Sequence, residues 1–592
     1  MVNNLLLIAL VMLLPDQAFG ELDPDQKSLK ISNDSVAVAG NPRPNRSRQN
    51  LDRLAPLDIR LLQREGGLLE ALPDRWRIVE SIGVNERWWD PYNQNTLKGD
   101  RPILGSKDLF FALGLVSDTV IEPRTFPIPV GIQTTGNAGQ YDLHGDGQSN
   151  IFSQTIIASL SLIKGSTTFK PQDWELRLTP AFNFNRVDIN ERRILYVQPS
   201  KFGKRSRNFG SLQEAFYDYH IRNVGSRYDF DSVRLGIQPF SSDFRGFLLQ
   251  DSLMGVRLFG NRDNNRYQYN LAYFRRLDKD VNSGLNDLST PLRRDHILTA
   301  NLYRQDFPSP GLTSQISITA NVNEEDRRPA IDANGFPTRP ALIGDLRPRR
   351  YHVTYLGYSL DGRYGRLNVS GSAYAAFGRD KNNPMTSRPS KIRSHFVALE
   401  LSVDNDWQRY RLSGVYASGD DNVFDDKASG FDAIFENPLI AGADTSYWMR
   451  QTIPFVGGGR GIGLNGRNGL LPSLRSSKEQ GQSFFSNPGL MLLGVGADFD
   501  LTPSLRWSVN YNHLWFDEVD GISQLRMQSG LTRKIGVDAS TSLIYRPGFI
   551  QNFVIRFSYA ELAPGAGFSR LFDSTRDDDR FYSGLLNIVL SY

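Results

Sequence analysis

The chain has 592 residues and no cysteine, so disulfide scaffolds, thiolate metal sites and cysteine nucleophiles are excluded together. Its 68 Lys and Arg against 64 Asp and Glu leave a formal charge of +4, too nearly balanced for a nucleic-acid-binding surface. Beyond the N-terminus there is no run of about 18 apolar residues, which excludes a helical membrane protein.

Met1–Gly20 holds a short apolar run, Leu5–Leu14, followed by Ala18-Phe19-Gly20, a pattern that predicts a signal peptide cut before Glu21. Glu21–Leu54 is rich in Pro, Asn, Ser and charge and reads as a linker, and Leu57–Leu72 is expected to form a short helix despite Gly66-Gly67. Residues 21–107 are therefore expected to be a periplasmic linker with a short helix or plug segment. That region is too short for the plug domain of a TonB-dependent transporter.

From Asp108 to Tyr592 the chain repeats stretches of roughly 10 to 14 residues in which apolar and polar side chains alternate, the mark of a strand with one oily and one wet face. In Trp174–Asn185 the oily set is Trp174, Leu176, Leu178, Phe182 and Phe184, against Glu175, Arg177, Thr179, Asn183 and Asn185. In Arg366–Phe377 it is Leu367, Val369, Gly371, Ala373, Ala375 and Phe377, against Arg366, Asn368, Ser370, Ser372 and Tyr374. Leu505, Trp507, Val509 and Tyr511 alternate with Arg506, Ser508, Asn510 and Asn512 in the same way.

The links between these stretches alternate long and short. Residues 121–153, 188–210, 378–392 and 420–487 are long, whereas 171–173, 222–227, 405–407, 502–504 and the turn Asp361-Gly362 are short. A soluble sandwich has no reason for this asymmetry, but an outer-membrane barrel does, with short periplasmic turns and long extracellular loops. The fold class expected over 108–592 is thus an all-β, transmembrane, antiparallel β-barrel of about 18 strands in the cell outer membrane. Trp174, Trp407 and Trp507 lie next to short turns and mark a periplasmic aromatic girdle. The final strand, with Tyr582, Gly584, Leu586, Ile588, Leu590 and Tyr592 on one face, is expected to close the barrel and to carry the signal read by the barrel-assembly machinery.

Strand parity turns Arg177, Arg234, Arg257, Arg366, Arg409, Arg411, Arg506 and Arg556 inward, together with Glu175 and Glu400, as pore-lining residues. Two readings stand side by side. Fixed guanidinium groups lower the entry barrier for anions; alternatively, they brace the wall by pairing with inward acids, among them Glu175, Glu214, Glu400, Asp404, Asp498 and Asp538. The connection 420–487 is far too long for an ordinary loop and is expected to fold over or into the pore. It carries Arg450, Arg460, Arg467 and Arg475. Its Gly461, Gly463 and Gly466 match a nucleotide-binding spacing without the strand and helix that such a site needs.

Other chemistry finds little footing. Asp142–Asn150 resembles a calcium loop only in part, with His144 at a ligand position, and Asp577, Asp578 and Asp579 form a charge run able to share cations with lipopolysaccharide phosphates. The six histidines are scattered, and Asp218 with His220 is the only local acid–histidine candidate for an outer-membrane hydrolase. No catalytic residue, metal or cofactor is expected.

The segments Ser232-Val-Arg-Leu-Gly236, Ser418-Gly-Asp-Asp-Asn422 and Gly430-Phe-Asp-Ala-Ile-Phe435 resemble the alginate-export family of outer-membrane porins, a likeness that covers most of the barrel loosely. The resemblance implies an 18-stranded monomeric barrel with a basic pore that exports an acidic exopolysaccharide. The expected partners are outer-membrane lipid and lipopolysaccharide, and as cargo small anions or an anionic polysaccharide. The expected function is passive passage through an arginine-rich lumen; a structural sleeve around another envelope protein is the alternative.

Overall fold

In the computed structural model the described residues are 83, 85–92 and 95–592, apart from 126–147, 166–170, 190–194, 226–228, 336–338, 340–346, 384–385, 451–480, 527–528, 571–580 and positions 197, 199, 202 and 550. The predicted signal peptide, linker and Leu57–Leu72 helix lie outside them. So do Asp142, His144 and Asp146, Arg460, Arg467 and Arg475 with the glycine motif, and Asp577–Asp579.

Eighteen strands of alternating sequence form the wall among the described residues. They are β1 (Leu109–Thr125), β2 (Gln148–Lys164), β3 (Trp174–Ile189), β4 (Lys204–Asn223), β5 (Phe230–Ser241), β6 (Gln250–Arg262), β7 (Tyr267–Arg275), β8 (Asp295–Arg304), β9 (Leu312–Glu324), β10 (Arg350–Tyr364), β11 (Leu367–Asp380), β12 (Ser390–Asn405), β13 (Gln408–Ala417), β14 (Leu490–Thr502), β15 (Leu505–Trp515), β16 (Lys534–Tyr545), β17 (Phe553–Pro564) and β18 (Phe581–Ser591). Each pairs antiparallel with its sequence neighbours, and β18 returns to β1 with Val116 opposite Ser591 and Arg124 opposite Ser583. Closure leaves no edge strand, the condition for crossing lipid with strands.

The two faces are inverted relative to a soluble protein. Leu176, Phe182, Leu271, Ile316, Leu356, Leu412, Val495 and Phe557 stand exposed around the outside, whereas Ser153, Thr155, Asn183, Thr299, Thr319, Ser359, Ser372 and Asn512 are buried on the inside. The inner polar groups satisfy one another across strands. Asn183 Nδ2 donates to Ser153 Oγ at 2.9 Å and Thr155 Oγ1 at 2.8 Å, and the Thr299–Thr319 and Ser359–Ser372 hydroxyl pairs each lie at 2.8 Å. Pro180, which has no N–H for the ladder, falls where the β3–β4 register shifts, between Thr179 opposite Glu214 and Pro180 opposite Leu212.

The short-turn end carries the aromatic girdle. Trp174 lies 6.1 Å from Tyr217, and Phe499 stands 6.0 Å from Trp407 and 5.2 Å from Trp507. One predicted turn is displaced. β10 runs through Asp361-Gly362 to Tyr364 and turns at Gly365-Arg366, because the pairs Arg363–Asn368 and Tyr364–Leu367 continue the ladder.

The segment before β1 is not purely a linker. Lys98–Pro102 adds a short strand beside the start of β1, and Asn95, Lys98 and the Trp88 carbonyl gather on Tyr592.

Two connections turn inward. Residues 242–249 fold back beside the wall, held by Asp243, whose carboxylate accepts the N–H groups of Arg245 (2.9 Å), Phe247 (3.1 Å) and Leu248 (3.1 Å) and the Tyr374 hydroxyl (2.8 Å). Gly246 is required there. Its φ is +74°, and a Cβ would stand 2.7 Å from the Asn437 carbonyl oxygen. The described parts of 418–489 pack against this hook, burying Phe431, Ile434, Phe435 and Phe485 with Phe247, Leu249, Tyr351, Tyr355 and Phe396. Loop burial explains why the upper inner faces of β10–β12 are apolar.

Candidate permeation pathway

Alternation places Arg177, Arg234 and Arg257 on the inner faces of β3, β5 and β6, where strand pairing sets Arg234 directly opposite Arg257. Phe216 and Phe259, also inward, fill the spaces between them. The Arg177 guanidinium lies 5.4 Å from the Phe216 ring, Arg234 lies 4.2 Å from Phe216 and 5.5 Å from Phe259, and Arg257 lies 4.7 Å from Phe259. The result is an alternating stack of cations and rings across one wall. Stacking occupies the guanidinium faces and leaves their N–H edges for hydrogen bonds.

Two acids of this wall, Glu175 and Asp218, lie behind the arginines. Arg177 meets Glu175 at 2.6 Å and Glu214 at 3.8 Å, and Arg234 meets Asp218 at 2.7 Å. The Glu175 and Asp218 side chains are 5% exposed, against 34% for Arg177 and 18% for Arg234, while Glu214 is 19% exposed. At the Arg177–Glu175 and Arg234–Asp218 pairs a solute meets the cation before the acid. Arg257 bonds Asn270 Oδ1 at 2.7 Å and has no carboxylate within ion-pair distance among the described residues. It borders a cavity of ≈180 Å³ lined also by Asn270, Tyr303, Gln250 and Phe240.

The other predicted residues are spread over the barrel. Arg411 bonds Asp498 at 2.6 Å and Asn510 at 2.8 Å; Arg556 reaches Asp444 of the long loop at 2.7 Å. Arg409 with Asp404 (2.5 Å) and Arg506 with Asp500 (2.6 Å) lie at the short-turn end. Arg366 does not line the lumen: it occupies the Gly365-Arg366 turn and is exposed, the consequence of the longer β10. Glu400 accepts from Ser413 Oγ (2.8 Å) and the Ala441 N–H (3.2 Å). Asp538 pairs with no arginine among the described residues and instead holds the long loop, accepting from Ser446 Oγ and the Tyr447 (3.3 Å) and Trp448 (2.8 Å) N–H groups. Asp218 binds Arg234, while His220 Nε2 faces Asn223 Oδ1 at 2.9 Å, so no acid–histidine dyad forms.

Sequence reasoning missed Arg245, which reaches from the inward hook to the inner faces of β11 and β12. It donates to Ser370 Oγ (2.7 Å) and the Leu439 carbonyl (2.9 Å) and lies 3.4 Å from Glu400, linking both inward loops to β11 and β12. Only the compact run Asp243-Phe-Arg-Gly246 within a short extracellular link hints at it.

Above this level, buried ion pairs lock the loops together. Arg293 grips Glu325 through two hydrogen bonds of 2.9 Å, Arg339 reaches the same carboxylate at 3.1 Å, and Arg276 holds Asp295 at 3.2 Å. Burial alone would push the Glu325 carboxyl up, but Arg293 and Arg339 overcome it and hold it well below the usual range. Burial has its way at Asp420, at the start of the long loop, and raises it to about 6 despite hydrogen bonds from Ser486 and Ser429.

A closed barrel with a lipid-facing apolar belt, a polar lumen, short turns at one end and long loops at the other is an outer-membrane β-barrel of porin size. No family model and no curated protein matches the chain, so the alginate-export resemblance stays with the segments that carry it. Among solved structures the chain is similar to Pseudomonas aeruginosa OccK9 (OpdG), at a TM-score of 0.46 and 11% identity over 81% of this chain and 98% of that one. It is also similar to P. aeruginosa OccK5 (OpdH), at 0.43 and 10% over 81% and 97%, and to Acinetobacter baumannii OccAB3, at 0.44 and 10% over 81% and 99%.

Proposed function

We propose that the protein is a passive outer-membrane channel for small anionic solutes, which pass between the stacked wall of β3–β6 and the two inward-folded loops. The observation that carries this reading is the order of charge on that wall, guanidinium edges forward with the Glu175 and Asp218 carboxylates behind. The Phe216 and Phe259 rings hold the arginines in place, so a carboxylate meets preorganised donors and moves along them by exchange. The inward loops narrow the lumen and favour small solutes. A flexible acidic polysaccharide, the cargo that the family resemblance implies, is the second reading, and the same donors suit its repeated carboxylates.

The test is reversal potential in a planar bilayer under a salt gradient. One unit charge at ~7 Å in a water-like medium is worth about 0.6 kcal/mol, a factor of about three. Arg234→Gln with Arg257→Gln is therefore expected to lower the anion-to-cation permeability ratio by at least about threefold while the protein stays folded. An added acidic polymer that blocks current from the periplasmic side supports the polysaccharide reading. A silent barrel overturns both readings in favour of a structural sleeve.

A further inference from the structure

The lipid-facing surface is uneven at its long-loop end. On β10–β12 the outward parity is that of Leu356, Phe377 and Val397, all exposed, and the same parity carries Arg350, His352, Arg379, Lys391 and Arg393. His352 is directly opposite Arg379, and Arg379 is directly opposite Lys391. Lys381 continues the ladder beside Arg350, donating its N–H to the Arg350 carbonyl at 2.9 Å. Arg379 and Lys391 are like charges placed opposite one another across strands, and they repel and weaken the sheet.

The available acids are already committed. Glu324 holds Arg350 at 2.6 Å and Arg294 at 3.2 Å, and Asp426 holds Lys391 at 3.1 Å. Arg379 and Arg393 are exposed and have no carboxylate within ion-pair distance among the described residues. Their height on the wall matters as much as their charge. Phe377, 49% exposed, is opposite Arg393 and two residues from Arg379, about 7 Å along the strand. The guanidinium groups therefore stand where the apolar belt ends and lipid headgroups begin.

We propose that the outward face of β10–β12 at the long-loop end binds the phosphate groups of a phosphorylated outer-leaflet lipid, with Arg379 and Arg393 as the principal contacts. Guanidinium groups meet phosphate through paired N–H···O bonds, and the bound charge relieves the repulsion among the five Lys and Arg side chains. The acyl chains lie against Phe377, Val397 and Leu399, which continue the same face downward. The site needs only the barrel's position in the bilayer, so it stands or falls independently of whether the lumen conducts.

The experiment uses the full-length protein folded in phosphate-free detergent, with the thermal unfolding midpoint followed by circular dichroism. It is titrated separately with a diphosphorylated outer-leaflet glycolipid, with the same lipid dephosphorylated, and with inorganic phosphate. The diphosphorylated lipid is expected to raise the midpoint saturably, and the Arg379→Gln, Arg393→Gln double variant to need about tenfold more lipid or beyond for the same shift. Arg186→Gln removes another exposed arginine, at the long-loop end of β3, and is expected to leave the titration unchanged. An unchanged titration in the double variant, or an equal response to the dephosphorylated lipid, overturns the proposal. An equal response to inorganic phosphate overturns the lipid as the source and reassigns the site to a soluble anion. Both variants replace exposed side chains without acid partners, and their unheated gel mobility reports that the barrel has closed.

Discussion

At the scale of single residues, the lumen is shaped by side chains that hold backbone. Asp243 gathers three N–H groups and the Tyr374 hydroxyl into one turn, and Arg245 on that turn ties it to Ser370, Glu400 and Leu439. Asp243→Ala leaves those donors unsatisfied, at a cost of about 2–3 kcal/mol, enough to release the hook without opening the wall. Larger single-channel conductance with an unchanged strand signature in circular dichroism is the expected result; equal conductance shows that residues 242–249 do not limit the pore. Such roles are hard to read in a sequence. The inward direction of Arg177, Arg234 and Arg257 was legible because parity is a local property. The partner of Asp538 was not, since Ser446 lies 92 residues away and meets it only after the barrel has closed.

Elements tell a similar story, with the loops adding a dependence on pH. The strands and the order of short and long links followed from alternation and turn chemistry, whereas the turn at Gly365-Arg366 was misplaced because a glycine after an aspartate reads as a turn even when pairing carries the strand past it. The described parts of 420–487 pack against the inner hook, and the hydrogen bonds and charge network that clamp the return segment come from distant strands. Gln482 Nε2 donates to the Arg349 carbonyl at 2.8 Å and to Asn323 Oδ1 at 2.6 Å, and Arg293 donates to the Gly481 carbonyl at 3.0 Å. Because the folded chain depresses the Glu325 pKa, its contribution is complete above the ordinary 4.5 and is lost as pH falls below it. Asp420 acts in the opposite sense: its pKa is raised, so its contribution falls as pH rises from 3.8 to about 6. Acid approaching pH 2 is therefore expected to free the return segment, and Glu325→Gln to free it at pH 7 at a cost of about 3 kcal/mol, by leaving Arg293 buried with a weaker partner. Limited proteolysis around Gly481–Asn487 measures both; cleavage that is equally slow in the variant at pH 7 would remove Glu325 from the clamp.

For the molecule as a whole, closure depends on how the last strand finds the first. Tyr592 exchanges backbone hydrogen bonds with Leu115, at 2.7 and 3.2 Å, and receives Asn95 Nδ2 on its hydroxyl at 2.6 Å, with the Lys98 ammonium 4.6 Å from its ring. Tyr592→Ala keeps the backbone pairs and removes the rest, a loss of about 1–2 kcal/mol. It is expected to slow assembly, measured as the fraction of protein that migrates as a compact barrel before heating; a wild-type fraction would place the closing signal within β18 itself.

The crossing of the lumen by the long loop has a mechanical meaning. A single-layer ring of strands ovalises when a crowded bilayer squeezes it, because bending at each pair of neighbours costs little. Here the chain from Phe435, bridged to Leu249 beside β6, to Ser446, held on β16, works as a spoke between strands eight places apart the shorter way around the rim. A rim with a spoke keeps its bore under load, so the calibre of this opening is set by about a dozen residues of loop rather than by the lateral pressure of the surrounding lipid.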